Sequence, residues 1–279
     1  MTDVLPSLPA TRLFLFIGLL LCLMTAETLW PRRNTKQHRQ PRWVGNLSLS
    51  ALGSLCGQAI SSLSPVAAAL WAEQAGNGLF RLVPLPDLLP FWVSVVLLDG
   101  MIWAQHLIFH HLPWLWRLHR VHHSDPEMDA TTAVRFHPVE ILLSLLLKSG
   151  AVILLGIPAT AIVTFEILLS STALMTHANI RLPQRLDRFL RLLVITPDLH
   201  RIHHSPERQE TDSNFGFCLS LWDRLAGTLR HTPRQPQETM AVGLPDFRSP
   251  HDQAPVRLLL QPLKTPRHPP TGHLPGKQD

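Results

Sequence analysis

The chain has 279 residues, 46% apolar, 16% charged and 7% aromatic, with 25 Pro, no Tyr and a formal charge of +5. That content excludes a disordered protein, and a positive mean hydropathy beside a net positive charge requires apolar and polar residues to be segregated into blocks, as in a membrane protein. Cys22, Cys56 and Cys218 are far apart with no CxxC pair, which excludes a disulfide framework and a thiolate metal site, whereas the 16 His stand out.

In chain order, residues 13 to 30 (LFLFIGLLLCLMTAETLW) form an apolar run with one charge, Glu27, long enough to cross a ~30 Å hydrocarbon core. They are read as a membrane helix. A cleaved signal peptide is the alternative; against it stand Asp3 beside Arg12, the lack of a small-residue cleavage site and the strongly basic segment that follows. Trp43 to Ala72 carries no charge and Leu88 to Gln105 only Asp99, which predicts two further spans. Pro138 to Thr176 is apolar, with Gly156 and Pro158 near its middle, and reads as a helical hairpin of two more. The fold expected is all-α: a polytopic membrane protein with about five membrane-embedded helices and a cytoplasmic, histidine-rich helical cap.

Orientation follows from the loops. Arg32, Arg33, Lys36, Arg39 and Arg42 follow the first span with no acidic residue among them, while 73 to 87 offers only Glu73, Arg81 and Asp87. The first loop is therefore assigned to the cytoplasm, and counting spans puts 106 to 137 and everything after about 177 on the same side. Eleven of the 16 His fall in 106 to 204 on that side, an agreement that charge alone did not require.

After the hairpin, IRLPQRLDRFLRLLVIT places Arg181, Arg185, Arg188 and Arg191 three or four residues apart, with Leu182, Leu186, Phe189 and Leu193 between them. This predicts an amphipathic helix on anionic headgroups, or an ordinary surface helix. From about His231 the sequence is rich in Pro, Gln and Arg without periodicity, so a poorly ordered cytoplasmic tail is expected, with His251, His268 and His273 as bystanders.

Three clusters carry the chemistry: HLIFH (His106, His110), HRVHH (His119, His122, His123) and HRIHH (His200, His203, His204). Histidines three or four apart on a helix share a face and can aim their imidazoles at one centre. Eight imidazoles exceed what one ion takes, so a pair of metals is the economical reading, with iron preferred if oxygen is activated; zinc and copper also suit imidazole. Any single cluster could be a set of polar interface residues, a reading that fails for all three together. His111 lies off the His106/His110 face, and His38 and His231 stand alone. Asp99, seven residues before His106, is a candidate acceptor for a ligand imidazole N–H. Lys148 and Glu166 lie nine residues on either side of Ile157 and are expected to pair as a structural feature.

The strings LLDGMIWAQHLIFH, LWRLHRVHHSDPEMDATTAVRFHPVE, THANIRLP and TPDLHRIHHSPERQETDSNFGFCLSLWDRLAGT resemble the fatty acid hydroxylase superfamily, which includes the sterol desaturases. The resemblance covers roughly residues 92 to 230. It divides the chain into an N-terminal membrane region (1–91), a catalytic domain (92–230) and the tail (231–279). It implies a cytoplasmic centre of two iron ions on a bundle of membrane helices, using dioxygen to hydroxylate or desaturate a fatty acyl or sterol-like lipid. Carried over by position, the ligands are His106, His110, His119, His122, His123, His200, His203 and His204, with His177 of HANI added by the resemblance. Some family members have a further His four residues before that one, where this chain has Ala173. His137 in RFHPVE is given a structural or a metal role equally. Asn214, Gly216, Trp222 and Asp223 are read as packing of a closing helix or as a wall beside the third cluster.

No HPGG string, CxxC set or GxGxxG fingerprint occurs, so a separate electron donor of ferredoxin, cytochrome or reductase type is expected, and the basic face suits an acidic carrier or, equally, lipid headgroups. No nucleic-acid partner is expected. Without Tyr, any radical relay would fall to Trp103 or Trp222. Competing readings are a histidine-rich metal transporter or metal-binding membrane protein, disfavoured because the clusters sit at helix ends, and a family member using zinc for a non-oxidative step.

Overall fold

A computed structural model describes residues 8–34, 39–83, 85–86 and 88–265. Asp3, Lys36, His38, Asp87, His268 and His273, which entered the sequence reading, lie outside the described residues. Within them the chain is helical and forms no strand: α1 (Leu8–Leu29), α2 (Arg39–Ala59), α3 (Pro65–Ala75), α4 (Leu79–Leu82), α5 (Leu89–His111), α6 (Pro113–His123), α7 (Pro138–Leu155), α8 (Ala159–His177), α9 (Gln184–Leu190), α10 (Pro197–His203), α11 (Arg208–Thr211), α12 (Leu221–Ala226) and α13 (Pro255–Leu260). The many prolines fit an all-α fold because Pro65, Pro113, Pro138, Pro197 and Pro255 each open a helix, where the missing N–H would have no intrahelical partner anyway.

Among the described residues, four helices are long and apolar enough to cross a membrane: Thr11–Leu29 of α1, α5, α7 and α8. The hairpin expected over Pro138 to Thr176 turns at Gly156, whose φ of +71° ends α7 in a left-handed cap. The turn is closed from α3, where Glu73 Oε1 accepts from Ala159 N at 3.0 Å.

The uncharged stretch Trp43 to Ala72 is not one straight span. α2 stops at Ala59, a short 3-10 turn covers Ser61–Leu63, and α3 restarts at Pro65 with Ser64 Oγ accepting from Ala67 N at 3.2 Å. The restart has a local cause, since a serine cap followed by proline is a stronger instruction than continuous apolarity. α2 begins at the histidine-bearing end of the bundle, where Arg42 meets Asp125, and α3 finishes beside the α7–α8 turn. Together they traverse the bundle along α7 in two pieces. Gly53 allows the contact, because a Cβ there would collide with the Ile141 side chain.

The C-termini of α1, α5 and α8 and the N-terminus of α7 gather at one end. Glu27 Oε1 accepts there from Ala130 N at 2.8 Å and from Asn179 N at 2.7 Å. A cap of α6, α9 to α13 and connecting 3-10 turns covers this end. The expected amphipathic helix shortens to the seven residues of α9, after which the chain turns; Arg185, Leu186, Arg188, Phe189, Leu192 and Leu193 all face outward.

The tail from His231 is corrected by the structure. Residues 231 to 265 fold over α2 and α6, with Phe247, Gln253, Leu258 and Gln261 buried. Periodicity did not reveal this because the segment is held by backbone carbonyls. Arg120 Nη2 donates to the carbonyls of Gln261 and Lys264, both at 2.5 Å, and Gly243 N and Leu244 N donate to the carbonyls of His204 and His123 at 3.0 and 3.2 Å.

Candidate metal centre

The three histidine clusters reach the cap from separate helices. His106 and His110 stand on the last turns of α5, in a buried row with Leu98, Asp99 and Ile102. Pro113 forces a new helix at once, so α6 folds back and presents His119, His122 and His123 on its last turns. α10, opened by Pro197, brings His200 and His203, and His204 caps it. His177 ends α8.

All nine histidines expected as ligands are buried, and they converge into two adjacent groups: His106, His110, His119, His123 and His203 in one, and His122, His177, His200 and His204 in the other. Within each group the ligand atoms lie within 4.8 Å of one another. The groups touch, with the rings of His123 and His204 stacked at 4.5 Å between centroids.

Protonation follows from burial. Burial pushes the His119 imidazolium down to about 3, and burial together with neighbouring imidazoles pushes His122, His123, His200, His203 and His204 well below the ordinary histidine range. Each of these rings is neutral at pH 7, with one N–H and one bare nitrogen.

Where the N–H points is also visible. The Nδ1 of His106 donates to the Phe215 carbonyl at 2.7 Å, that of His203 to the Ser213 carbonyl at 2.8 Å and that of His177 to the Ala173 carbonyl at 2.7 Å. His119 Nδ1 lies 2.6 Å from Glu140 Oε1. The Nε2 atoms of His106, His177 and His203 are therefore the bare ones: those of His106 and His203 face each other at 3.0 Å, and that of His177 faces the Nε2 atoms of His122 and His200 at 3.1 Å each. The two bare lone pairs of His106 and His203 repel at that distance, and a shared cation would remove the repulsion. Nine further ring nitrogens, on His110, His119, His122, His123, His200 and His204, have no hydrogen-bond partner at all. Orphaned polar nitrogens at full burial are rare in folded proteins. The residues thus fit metal ions, and an all-imidazole donor set suits iron, zinc or copper.

The other sequence candidates separate cleanly. Asp99 bonds to no ligand imidazole: its Oδ2 accepts from Trp222 Nε1 at 2.8 Å and Leu219 N at 3.2 Å, while the Phe215 carbonyl takes the His106 N–H. The helical stripe was right, but a chain segment 120 residues away filled the space beside it. His137 lies outside both groups and caps α7, its Nδ1 accepting from Val139 N at 3.2 Å. His111 is exposed and bonds the Leu107 carbonyl. Asn214 and Asp223 do more than pack. Asn214, with φ +53°, donates to the Leu199 and Arg230 carbonyls, and Asp223 accepts from Phe215 N, Gly216 N and Trp103 Nε1. They hold the loop whose Ser213 and Phe215 carbonyls orient His203 and His106.

Two carboxylates were missed. Glu140 Oε1 stands 2.6 Å from His119 Nδ1 and orients its ring, and Asp212 Oδ1 stands 3.5 Å from His110 Nδ1. For Glu140 a signal was present, an acidic residue in the first turn of an apolar helix, where it is otherwise hard to place.

A cavity of about 330 Å³ opens from the first group and runs between α5, α7 and α8, with Ile102, Phe109, Phe136, Leu145, Leu169 and Phe217 among its walls.

A family model for fatty acid hydroxylase matches residues 91–228. Among characterised proteins, the chain is similar to ornithine lipid hydroxylase OlsE of Rhizobium tropici, 31% identical over 78% of this chain and 64% of the relative. It is similar to the alkylglycerol monooxygenase of Homo sapiens, 30% identical over 53% of this chain and 33% of the relative, and to the cholesterol 25-hydroxylase of Mus musculus, 25% identical over 85% of this chain and 81% of the relative. The chain thus spans less than two thirds of the ornithine lipid hydroxylase and one third of the alkylglycerol monooxygenase. No solved structure matches it significantly. The segment that supplies all nine converging histidines, residues 91–228, belongs to the fatty acid hydroxylase family.

Proposed function

We propose that the protein is an integral membrane oxidoreductase that hydroxylates a lipid at an unactivated C–H bond, with two iron ions held by its nine histidines and dioxygen as co-substrate. The observation that carries this reading is the convergence of nine buried imidazoles in two adjacent groups, one of which reaches an apolar cavity through His106 and His119. The relatives named above are hydroxylases and monooxygenases of lipids, which favours an alcohol product over an alkene.

His106, His110, His119, His123 and His203 would hold one ion, and His122, His177, His200 and His204 the other. Iron, when bound, would supply the redox chemistry by which dioxygen, two electrons from the donor and two protons from solvent convert a C–H bond to an alcohol and release one water. The chain's own residues do the rest. Carbonyls of Ala173, Ser213 and Phe215 keep the tautomers of His177, His203 and His106 fixed, so that these three would bind an ion without a proton moving, and Glu140 orients the ring of His119. Phe136 stacks on His122 at 4.4 Å between centroids, and Phe217 lies 5.0 Å from His106, which keeps bulk water from the rings. The apolar walls position the substrate chain.

Residues 92–230 are proposed as the catalytic domain, behind a membrane region of residues 1–91. The metal end carries Arg32, Arg33, Arg39 and Arg42 and is assigned to the cytoplasm by the positive-inside rule. Electrons come from a separate donor of ferredoxin, cytochrome or reductase type, docking on the basic cap.

The test is metal analysis and Mössbauer spectroscopy of protein purified anaerobically in detergent, beside the His119→Ala and His203→Ala variants. Two coupled irons per chain, lost in the variants, are expected. Stoichiometric zinc, or no metal, overturns the reading.

A further inference from the structure

The far end of the cavity is charged. Opposite the wall formed by His106, His119 and Glu140, it is lined by Arg12 of α1, Lys148 of α7 and Glu166 of α8. Glu166 Oε2 lies 2.7 Å from Arg12 Nη2, and Glu166 Oε1 lies 3.3 Å from Lys148 Nζ, with the Glu166 and Lys148 side chains 13% and 14% exposed. The sequence reading expected Lys148 and Glu166 to pair; the third member and the cavity between this cluster and the histidines come from the fold.

A structural ion pair within a bilayer is complete at one cation to one anion. Here two cations share a single carboxylate, so the cluster carries one surplus positive charge, with Lys148 and Glu166 set within the spans and Arg12, 36% exposed, near the start of α1. An ammonium has three N–H donors, and the one protein acceptor recorded for Lys148 among the described residues is Glu166. The surplus faces the space that would hold the substrate. Ser144 and Glu140, four and eight residues before Lys148, line the same cavity, so α7 presents one continuous row from the charged end to the metal end.

We propose that Arg12 and Lys148 bind the anionic terminus of the substrate, a carboxylate or a phosphate, and thereby set which carbon reaches the metals. This deepens the reading under Proposed function and rests on it. Eight residues of helix separate Lys148 from Glu140, about 12 Å at ~1.5 Å per residue. An extended chain advances ~3.5 Å per three bonds, so the carbon attacked lies on the order of ten bonds from the anionic group. Glu166 holds the two cations in place and keeps their field from fully repelling each other when the site is empty.

The test measures binding, so it does not depend on turnover. Palmitate, hexadecyl phosphate and methyl palmitate are titrated against the iron-loaded, detergent-solubilised full chain. The proposal expects at least one anion to bind about tenfold or more tighter than the uncharged ester, and the carboxylate and phosphate arms identify which. Lys148→Met should remove that preference with the ester's affinity kept, and Lys148→Arg should retain it. Glu166→Gln separates this role from a structural one: it raises the local charge and should tighten anion binding, whereas a mere tie between helices would be weakened. Equal binding of acid, phosphate and ester, or a preference that survives Lys148→Met, overturns the proposal. An iron-loaded protein that, given electrons and dioxygen, makes no product from any of these lipids overturns the hydroxylase reading instead, and an iron-loaded protein that forms alcohol without anion preference defeats this inference alone.

Discussion

Two polar regions lie side by side in the cap, equally buried and oppositely finished. Beneath the second histidine cluster, Arg42, Asn46, Asp125, Asp129, Thr131, Thr132 and Arg135 form a network with no exposed member. Arg42 pairs with Asp125 and lies 2.9 Å from Asp129, Thr132 Oγ1 donates to Asp125 at 2.8 Å, and Arg135 Nη1 donates to Asn46 at 2.9 Å and Gln253 at 2.8 Å. Burial alone would push the Asp125 carboxyl up, but Arg42 and Arg135 bring it down to about 2. No side-chain polar atom of this network is orphaned, whereas half of the ring nitrogens in the histidine groups are. Burial is therefore a poor guide to function, and satisfaction is a good one. The network is finished by the chain itself, and the histidine groups are finished only by something the chain does not encode.

The contrast can be broken by experiment. Its largest expected effect is on the histidine side: His203→Ala should abolish iron at the first group and product formation, while the melting temperature of the metal-free protein falls little, because the ring contributes a single hydrogen bond, to Ser213. Metal analysis with thermal melts of both forms checks this. Asp125→Asn should do the reverse, costing about 3–5 kcal/mol and most of the folded yield whatever the metal supply, because it leaves the buried Arg42 and Arg135 with Asp129 as their one remaining countercharge. Size-exclusion profiles with and without added iron distinguish the two cases. Glu140→Gln sits between the regions; releasing the His119 ring should weaken iron affinity or turnover about 10- to 100-fold while the fold persists, as read by chelator competition. The smallest effect is expected for Trp222→Phe, which removes one hydrogen bond to Asp99 and should cost about 1 kcal/mol with iron content unchanged.

Much of the centre was legible because ligand geometry is local. Histidines three and four apart on one helix must share a face, so the spacing of HLIFH, HRVHH and HRIHH announced convergent imidazoles before any fold was known, and resemblance added His177. The Lys148–Glu166 pair was legible for a related reason, since two apolar helices joined by a tight turn put equal distances from Ile157 at equal depth. What stayed hidden was decided by partners far along the chain. Asp99 could be placed on the face of α5 but not given Trp222 as its partner. Glu140 could be seen as an anomalous charge but not matched to His119. The fold of residues 231 to 265 depends on carbonyls accepting from Arg120, and carbonyls leave no mark in a sequence.

That last segment has a consequence for how the protein is made. Gly243 and Leu244 join the carbonyls of His204 and His123, and Gln261 and Lys264 receive Arg120, so the clasp over the histidines is synthesised after every one of them. During translation there is an interval in which all nine rings exist and their cover does not. An ion delivered in that interval would meet an open site, and folding of the clasp would then close over it. A chain cut after residue 240 would exchange any bound ion faster than the full chain does.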